Sequence, residues 1–203
     1  MSNDNQNQEA AAQVERVIDE DGDVVLSEED CCTVEDIEEA VSGFLVGDIT
    51  LAQLEGISAE EMYSIADTGY DLFEAGKLED AKKIFEGLAC YNPMDAYFHS
   101  VLGSIYQKEE NFEEATKQYR GAVELYPEDI SSWTNLGETL FVWAGRLQTA
   151  GDTEKAVEAF EASVVALTQA IERAPQDEEN DSALRARALV SVATSIYEER
   201  QAS

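Results

Sequence analysis

The chain has 203 residues, with 44 Asp and Glu against 13 Lys and Arg and one His, a formal net charge of −31. Such a surface repels phosphate backbones and anionic lipid headgroups, which excludes nucleic-acid binding through the general surface and leaves basic or amphipathic partners. Hydrophobic residues make up 44% of the chain, enough for a sizeable core. No apolar run approaches the roughly 20 residues of a membrane helix, so no membrane insertion is expected.

The first residues show no basic stretch followed by an apolar one, so no secretory signal is read and a cytoplasmic location is expected. Cys31, Cys32 and Cys90 lack metal-ligand spacing and are read as reduced thiols. Residues 1–32 read as a disordered acidic tail. Over residues 1–76 there are 21 acidic residues and one basic residue, Arg16. The run from Asp19 to Asp23 looks like a calcium loop but has Asp30, not Glu, at its twelfth position. No metal and no cofactor is expected.

Residues 33–57 read as an N-terminal helical segment. Thr33 as N-cap, with Asp36 in the first turn, opens a helix whose apolar positions Val34, Ile37, Val41 and Phe44 form one stripe. That stripe either packs in cis or pairs two copies of the chain as a homodimer; both arrangements stay open. Gly47-Asp48 ends this helix. Leu51 and Leu54 mark a short second segment ended by Gly56. Ser58 and Glu61 then form a capping box that opens a domain over 58–200.

From there the sequence repeats. Gly69, Gly103 and Gly137 are 34 residues apart, as are Ala81 and Ala115, and Pro93 and Pro127. A 34-residue helix–turn–helix with small residues at these slots is the tetratricopeptide repeat (TPR) signature. The glycines and alanines stand where the two helices of a repeat meet, and the prolines mark the crossing to the next repeat. The repeats fall at about 62–95, 96–129 and 130–177. The third is longer. Its first helix carries Trp133, Leu136, Leu140, Trp143 and Leu147, and its second Val157, Phe160, Val164, Leu167 and Ile171. The spacing puts the key alanine at Ala156, seven residues late, and the closing proline at Pro175, fourteen late. Two extra turns per helix predict an antiparallel coiled coil projecting about 10 Å further. A capping helix over 182–200 follows, with Leu184, Ala188, Val192 and Ile196 as its apolar stripe and Arg185 and Arg187 pointing elsewhere. The expected fold is an all-α TPR solenoid of three helical hairpins, the third extended, with N-terminal helices and a C-terminal capping helix.

No catalytic constellation is found and no enzyme is expected. His99, the one histidine, falls at a slot that packs between helices and reads as structural. The remaining candidate is the concave face, lined in TPR arrays by the first helix of each repeat. Its slots hold Tyr63, Tyr70 and Phe73, then Tyr97, Ser100, Ser104, Gln107 and Lys108, then Thr134, Glu138 and Phe141. The aromatics can anchor an apolar peptide, and Ser104 and Gln107 can bond its backbone. The alternative is that Tyr63, Tyr70 and Phe73 pack against the N-terminal helices. Grooves that grip a C-terminal carboxylate need cations where this chain has Ala66, Tyr70, Ser131 and Asn135, so that function is not expected.

The segment from Phe44 to Gln107 resembles the type III secretion translocator chaperones, the LcrH/SycD-like class. The resemblance rests on Leu54-Glu55-Gly56-Ile57-Ser58, the Gly76-Lys77 turn with Glu79-Asp80-Ala81, Phe85, Leu88, and Leu102-Gly103 with Gln107. It spans about residues 34–143. It implies a cytosolic chaperone that holds a hydrophobic secreted translocator protein in its concave groove, often as a homodimer through the N-terminal helices. Two or three buried anchors at about 1.5–3 kcal/mol each would support binding after ordering costs. A generic TPR scaffold in a multiprotein assembly is the alternative.

Overall fold

The computed structural model describes residues 17–18, 24–25, 34–175 and 180–201, in two units, Met1–Ile49 and Thr50–Ser203. In the first unit β1 (Val17–Ile18) and β2 (Val24–Val25) pair antiparallel, Val17 with Val25 and Ile18 with Val24. The rest of the tail expected to be disordered, with Cys31, Cys32 and Thr33, lies outside the described residues. Helix α1 (Val34–Val46) stops where Gly47 adopts φ +86°, a left-handed conformation that costs glycine nothing. The Gly47 and Asp48 N–H groups close that end on the carbonyls of Phe44 and Gly43. Ile37, Val41 and Phe44 are exposed, as are Leu45 and Val46; the Val34 side chain lies outside the described part.

The second unit is helical among its described residues. Its helices are α2 (Leu51–Leu54), α3 (Ala59–Glu74), α4 (Leu78–Tyr91), α5 (Ala96–Lys108), α6 (Phe112–Leu125), α7 (Ile130–Ala150), α8 (Thr153–Arg173) and α9 (Asp181–Gln201). Ser58 caps α3 as expected: its Oγ accepts from Glu61 N–H while the Glu61 carboxylate accepts from Ser58 N–H. These bonds hold the Glu61 carboxyl below its usual range. Asp95 and Asp129 cap α5 and α7 with their carboxylates alone, accepting from Tyr97 N–H and from the Ser131 and Ser132 N–H groups.

Helices α3/α4, α5/α6 and α7/α8 are the three hairpins, and the repeat glycines set their closest approach. A Cβ on Gly69 would stand 2.8 Å from the Phe85 ring, one on Gly103 2.7 Å from Tyr119, and one on Gly137 2.5 Å from Leu167. Each distance is too short for a real side chain, so only glycine lets the pairs close. His99 and Trp133, 34 residues apart, make equivalent bonds. His99 Nε2 donates to the Pro93 carbonyl at 2.9 Å, and Trp133 Nε1 to the Pro127 carbonyl at 2.8 Å. Each ties a helix to the proline crossing before it, and His99 Nδ1 also pairs with the Gln118 amide. His99 is thus one of the bonds that fix repeat spacing.

The long third hairpin forms as expected, with 21 residues in each of α7 and α8 against 13 and 14 in α5 and α6. Its register corrects the reading from spacing. The residue four before Leu167 is Ser163, fully buried, standing where Ala81 and Ala115 stand before Phe85 and Tyr119. Both insertions precede this slot, so it moves by fourteen residues and not by seven. Ala156 instead lies two turns nearer the tip, lining one cleft with Ala144. The face of α8 that packs closest is also one residue off the expected stripe. Ala156, Ala159, Ser163, Ala166 and Ala170 are buried, while Val157 is exposed and Phe160, Val164 and Ile171 are half-buried. Small side chains bring the two backbones together, which leaves the larger ones on the flanks.

Helix α9 buries Ala183, Ala186 and Ala193 and, flanked by its own half-buried Leu189 and Val190, packs on Leu167 and Ala170 of α8. The expected stripe is not the packing face: Leu184, Ala188 and Val192 are exposed, and Ile196, at 36% exposure, borders a cleft with α7 and α8. Four residues at spacing four drift about 40° per step around a helix, so they do not share one face.

Candidate peptide-binding groove

Helices α3, α5 and α7, with α9 beside them, carry the predicted concave residues. At the first end the rings of Tyr63, Tyr97, Phe98 and Phe85 form one aromatic cluster. Tyr63 lies 6.1 Å from Tyr97 and 5.7 Å from Phe98. Phe98 and Phe85 are core, while Tyr63 and Tyr97 stay 44% and 37% exposed. The Tyr63 hydroxyl donates to Asp95 Oδ2 at 2.7 Å, locking α3 to the start of α5. That carboxylate pushes the Tyr63 phenol up to about 12, and burial raises Tyr97. Tyr70 is exposed and tilts on Phe73 at 5.8 Å.

Phe73 is itself buried in the first core, at 7% exposure. It is roofed by the Lys108 ammonium, 3.8 Å above its ring. Phe73 therefore supports the groove from beneath. Ser100, Ser104 and Gln107 are half-buried along α5. Ser104 Oγ donates to the Ser100 carbonyl and lies 2.9 Å from the Tyr119 hydroxyl, which donates to Gln107 Oε1. Burial holds Tyr119 up at about 12, so it stays a neutral donor in this chain of bonds.

On α7 the predicted residues separate. Thr134 is fully buried beneath α9, its Oγ1 bonded to the carbonyls of Ile130 and Ser182, so its hydroxyl is occupied within the fold. Glu138 faces the groove and pairs with Arg185 of α9 at 3.2 Å. Phe141 stacks on Phe160 at 6.0 Å and lines an apolar cleft of about 200 Å³ with Ala144, Gly145, Gln148, Ala156 and Ile196. The sequence reading leaves out Arg185 and Tyr119, and places Asn135 in the groove only as a slot without a cation. With Phe73, Ser104, Gln107, Lys108 and Glu138 they line a second cleft of about 300 Å³. Arg185 could have been found by placing α9 in register as a fourth first-helix, since that position turns it toward α7. Among the described residues, no group of three His, Cys, Asp or Glu stands close enough to hold a metal. No helix of them is long and apolar enough to cross a membrane.

Three stacked hairpins with glycine contacts, proline crossings and a groove of exposed tyrosines define a tetratricopeptide-repeat fold. Residues 67–130 match the tetratricopeptide repeat family. Within that class the chain is 30% identical over 80 residues to the low calcium response locus protein H of Yersinia pestis. The match covers 39% of this chain and 48% of that relative, so the chain spans about half the length of the curated relatives it matches. Its fold is similar to a T3SS complex from Aeromonas hydrophila, with 22% identity and a TM-score of 0.60 over 79% of this chain and 98% of that one. It is also similar to the Yersinia enterocolitica type III secretion chaperone SycD in complex with a peptide of the translocator YopD. There the identity is 18% and the TM-score 0.57, over 70% of this chain and 98% of that one.

Proposed function

We propose that this protein is a non-enzymatic, cytoplasmic chaperone that holds an extended apolar segment of a secreted type III translocator protein in its concave groove. The observation that carries the reading is the row of exposed aromatics Tyr63, Tyr70 and Tyr97 on the first helices of successive repeats. They sit in a fold similar to a chaperone solved with a translocator peptide. Exposed aromatic faces held rigid by buried neighbours bury a client's side chains without first ordering their own. Of the stripe Val34, Ile37, Val41 and Phe44 of α1, read as packing in cis or pairing two copies, Ile37, Val41 and Phe44 are exposed, which supports the pairing of two copies.

The test is co-expression with the hydrophobic translocator subunits encoded in the same genome. The client should become soluble and co-purify. Tyr70→Ala with Tyr97→Ala should abolish co-purification while helical circular dichroism persists. Tyr70 is exposed and Tyr97 sits at the rim of the aromatic cluster, so the helical signal checks that the fold survives their loss; Phe73 is left in place because it is packing. Unaltered co-purification by that pair moves the site off this face. Capture of folded assembly subunits instead of translocators makes the protein a TPR scaffold.

A further inference from the structure

The middle of the groove carries cations, in a chain whose net charge is −31. Lys108 ends α5 with its ammonium over the Phe73 ring, exposed and in no ion pair among the described residues. Across the same cleft Arg185 is held from α9. Its Nη1 donates to Glu138 at 3.2 Å and its Nη2 to Asn135 Oδ1 at 3.1 Å. Gln107 accepts from Tyr119 through Oε1, which leaves its amide N–H2 as a donor. Two cations and an amide donor therefore line a cleft with one carboxylate, Glu138, already engaged. Repulsion from distant acidic residues is screened beyond about 10 Å, so a bound group meets mainly these neighbours.

We infer that this cleft receives an aspartate or glutamate side chain from within the bound segment, so that the client is read as apolar residues on both sides of one acid. The carboxylate is internal because the groove continues past the cations. Toward α3 lie Tyr63, Tyr70 and Tyr97. In the other direction Phe141 is one turn beyond Glu138 on the same side of α7. Ile196 is three turns beyond Arg185 on the same side of α9, and the two line the apolar cleft of the extended hairpin. A chain end would stop at the cations and leave that cleft empty. Lys108 supplies an unpaired positive charge that an acid neutralises at contact, and the charge-assisted bond sets the register of the peptide. The inference rests on the groove reading above and adds to it the chemistry of the segment that is read.

The experiment is selection of short random peptides, displayed internally with no free C-terminus, on the full-length protein and on its Lys108→Glu variant. The wild type should enrich an Asp or Glu at a constant distance from apolar positions. Lys108→Glu should enrich Lys or Arg at that position and keep the apolar ones. Lys108→Gln, with the shape of the side chain largely kept, should lose the preference. A synthetic selected peptide should bind about fivefold more weakly when its acid is changed to the amide, with the difference shrinking at high salt. An apolar consensus without an acid, or the same acid on Lys108→Glu, overturns the cation subsite and leaves the groove standing. No apolar consensus at all overturns both.

Discussion

The second and third hairpins close on the same contact and differ in everything beyond it. In α5/α6 Gly103 meets Tyr119, sixteen residues on; in α7/α8 Gly137 meets Leu167, thirty residues on. The fourteen extra residues lie beyond the contact, α7 being eight and α8 seven residues longer than α5 and α6 and the turn between them one shorter, so the layer that stacks on the neighbouring repeats is unchanged. Two turns on each helix preserve the facing side chains, and Ala144 and Ala156 are again small and buried near the tip, bordering one cleft. A repeat can thus grow outward without disturbing its neighbours, and the growth here extends the groove side with Phe141 and, across from it, α9.

The equivalence of the two contacts breaks most visibly at the glycines. Gly103→Leu and Gly137→Leu should each cost about 3 kcal/mol or more, read as loss of the cooperative melt, since each forces a side chain into the facing residue. Gly137 should suffer more, because the Leu167 backbone N stands 3.1 Å from the Cβ position as well. An unchanged melting temperature in either variant sinks the register of that hairpin.

Alkaline titration sharpens the difference, because the facing residue is ionisable in the second hairpin only. Tyr119 is held at about 12 in the folded state, above the ordinary phenol near 10. A raised folded pKa means that the folded state keeps its proton more tightly. Its contribution is complete below pH 10 and is lost as pH rises through 12, to the extent of about 2–3 kcal/mol. Tyr63 and Tyr106 are raised to about 12 as well and add to the same fall. In Tyr119→Phe, denaturant unfolding followed from pH 9 to 12 should fall less steeply than in the wild type. An identical slope would mean that the ring is not buried in this contact.

The smallest effect is at the caps. Asp95→Ala and Asp129→Ala should each cost about 1 kcal/mol. Asp95 also accepts the Tyr63 hydroxyl from the first repeat, as Asp129 accepts the Ser132 hydroxyl of its own helix. Asp95→Ala combined with Tyr63→Phe should lose less than the sum of the two by chemical denaturation; strictly additive losses would remove that tie between repeats.

Much of this molecule was legible one residue at a time. The period of 34, the glycine contacts, the capping box at Ser58 and the stop at Gly47 follow from local sterics and hydrogen bonding, which act wherever the chain is placed. The length of the third hairpin was legible too, because heptad insertions keep their pattern. Tertiary packing decided which faces met. On α8 and α9 two adjacent stripes compete, one of alanines and one of larger side chains, and periodicity reads both equally. The alanine faces are buried because only small residues let three long helices approach at once. That choice turned Arg185 toward Glu138, buried Thr134 under α9, left Leu184 and Val192 exposed, and brought a cation to the groove across from Lys108. Local pattern determined the repeats; the approach distance between helices, a property of the assembled core, decided what lines the groove.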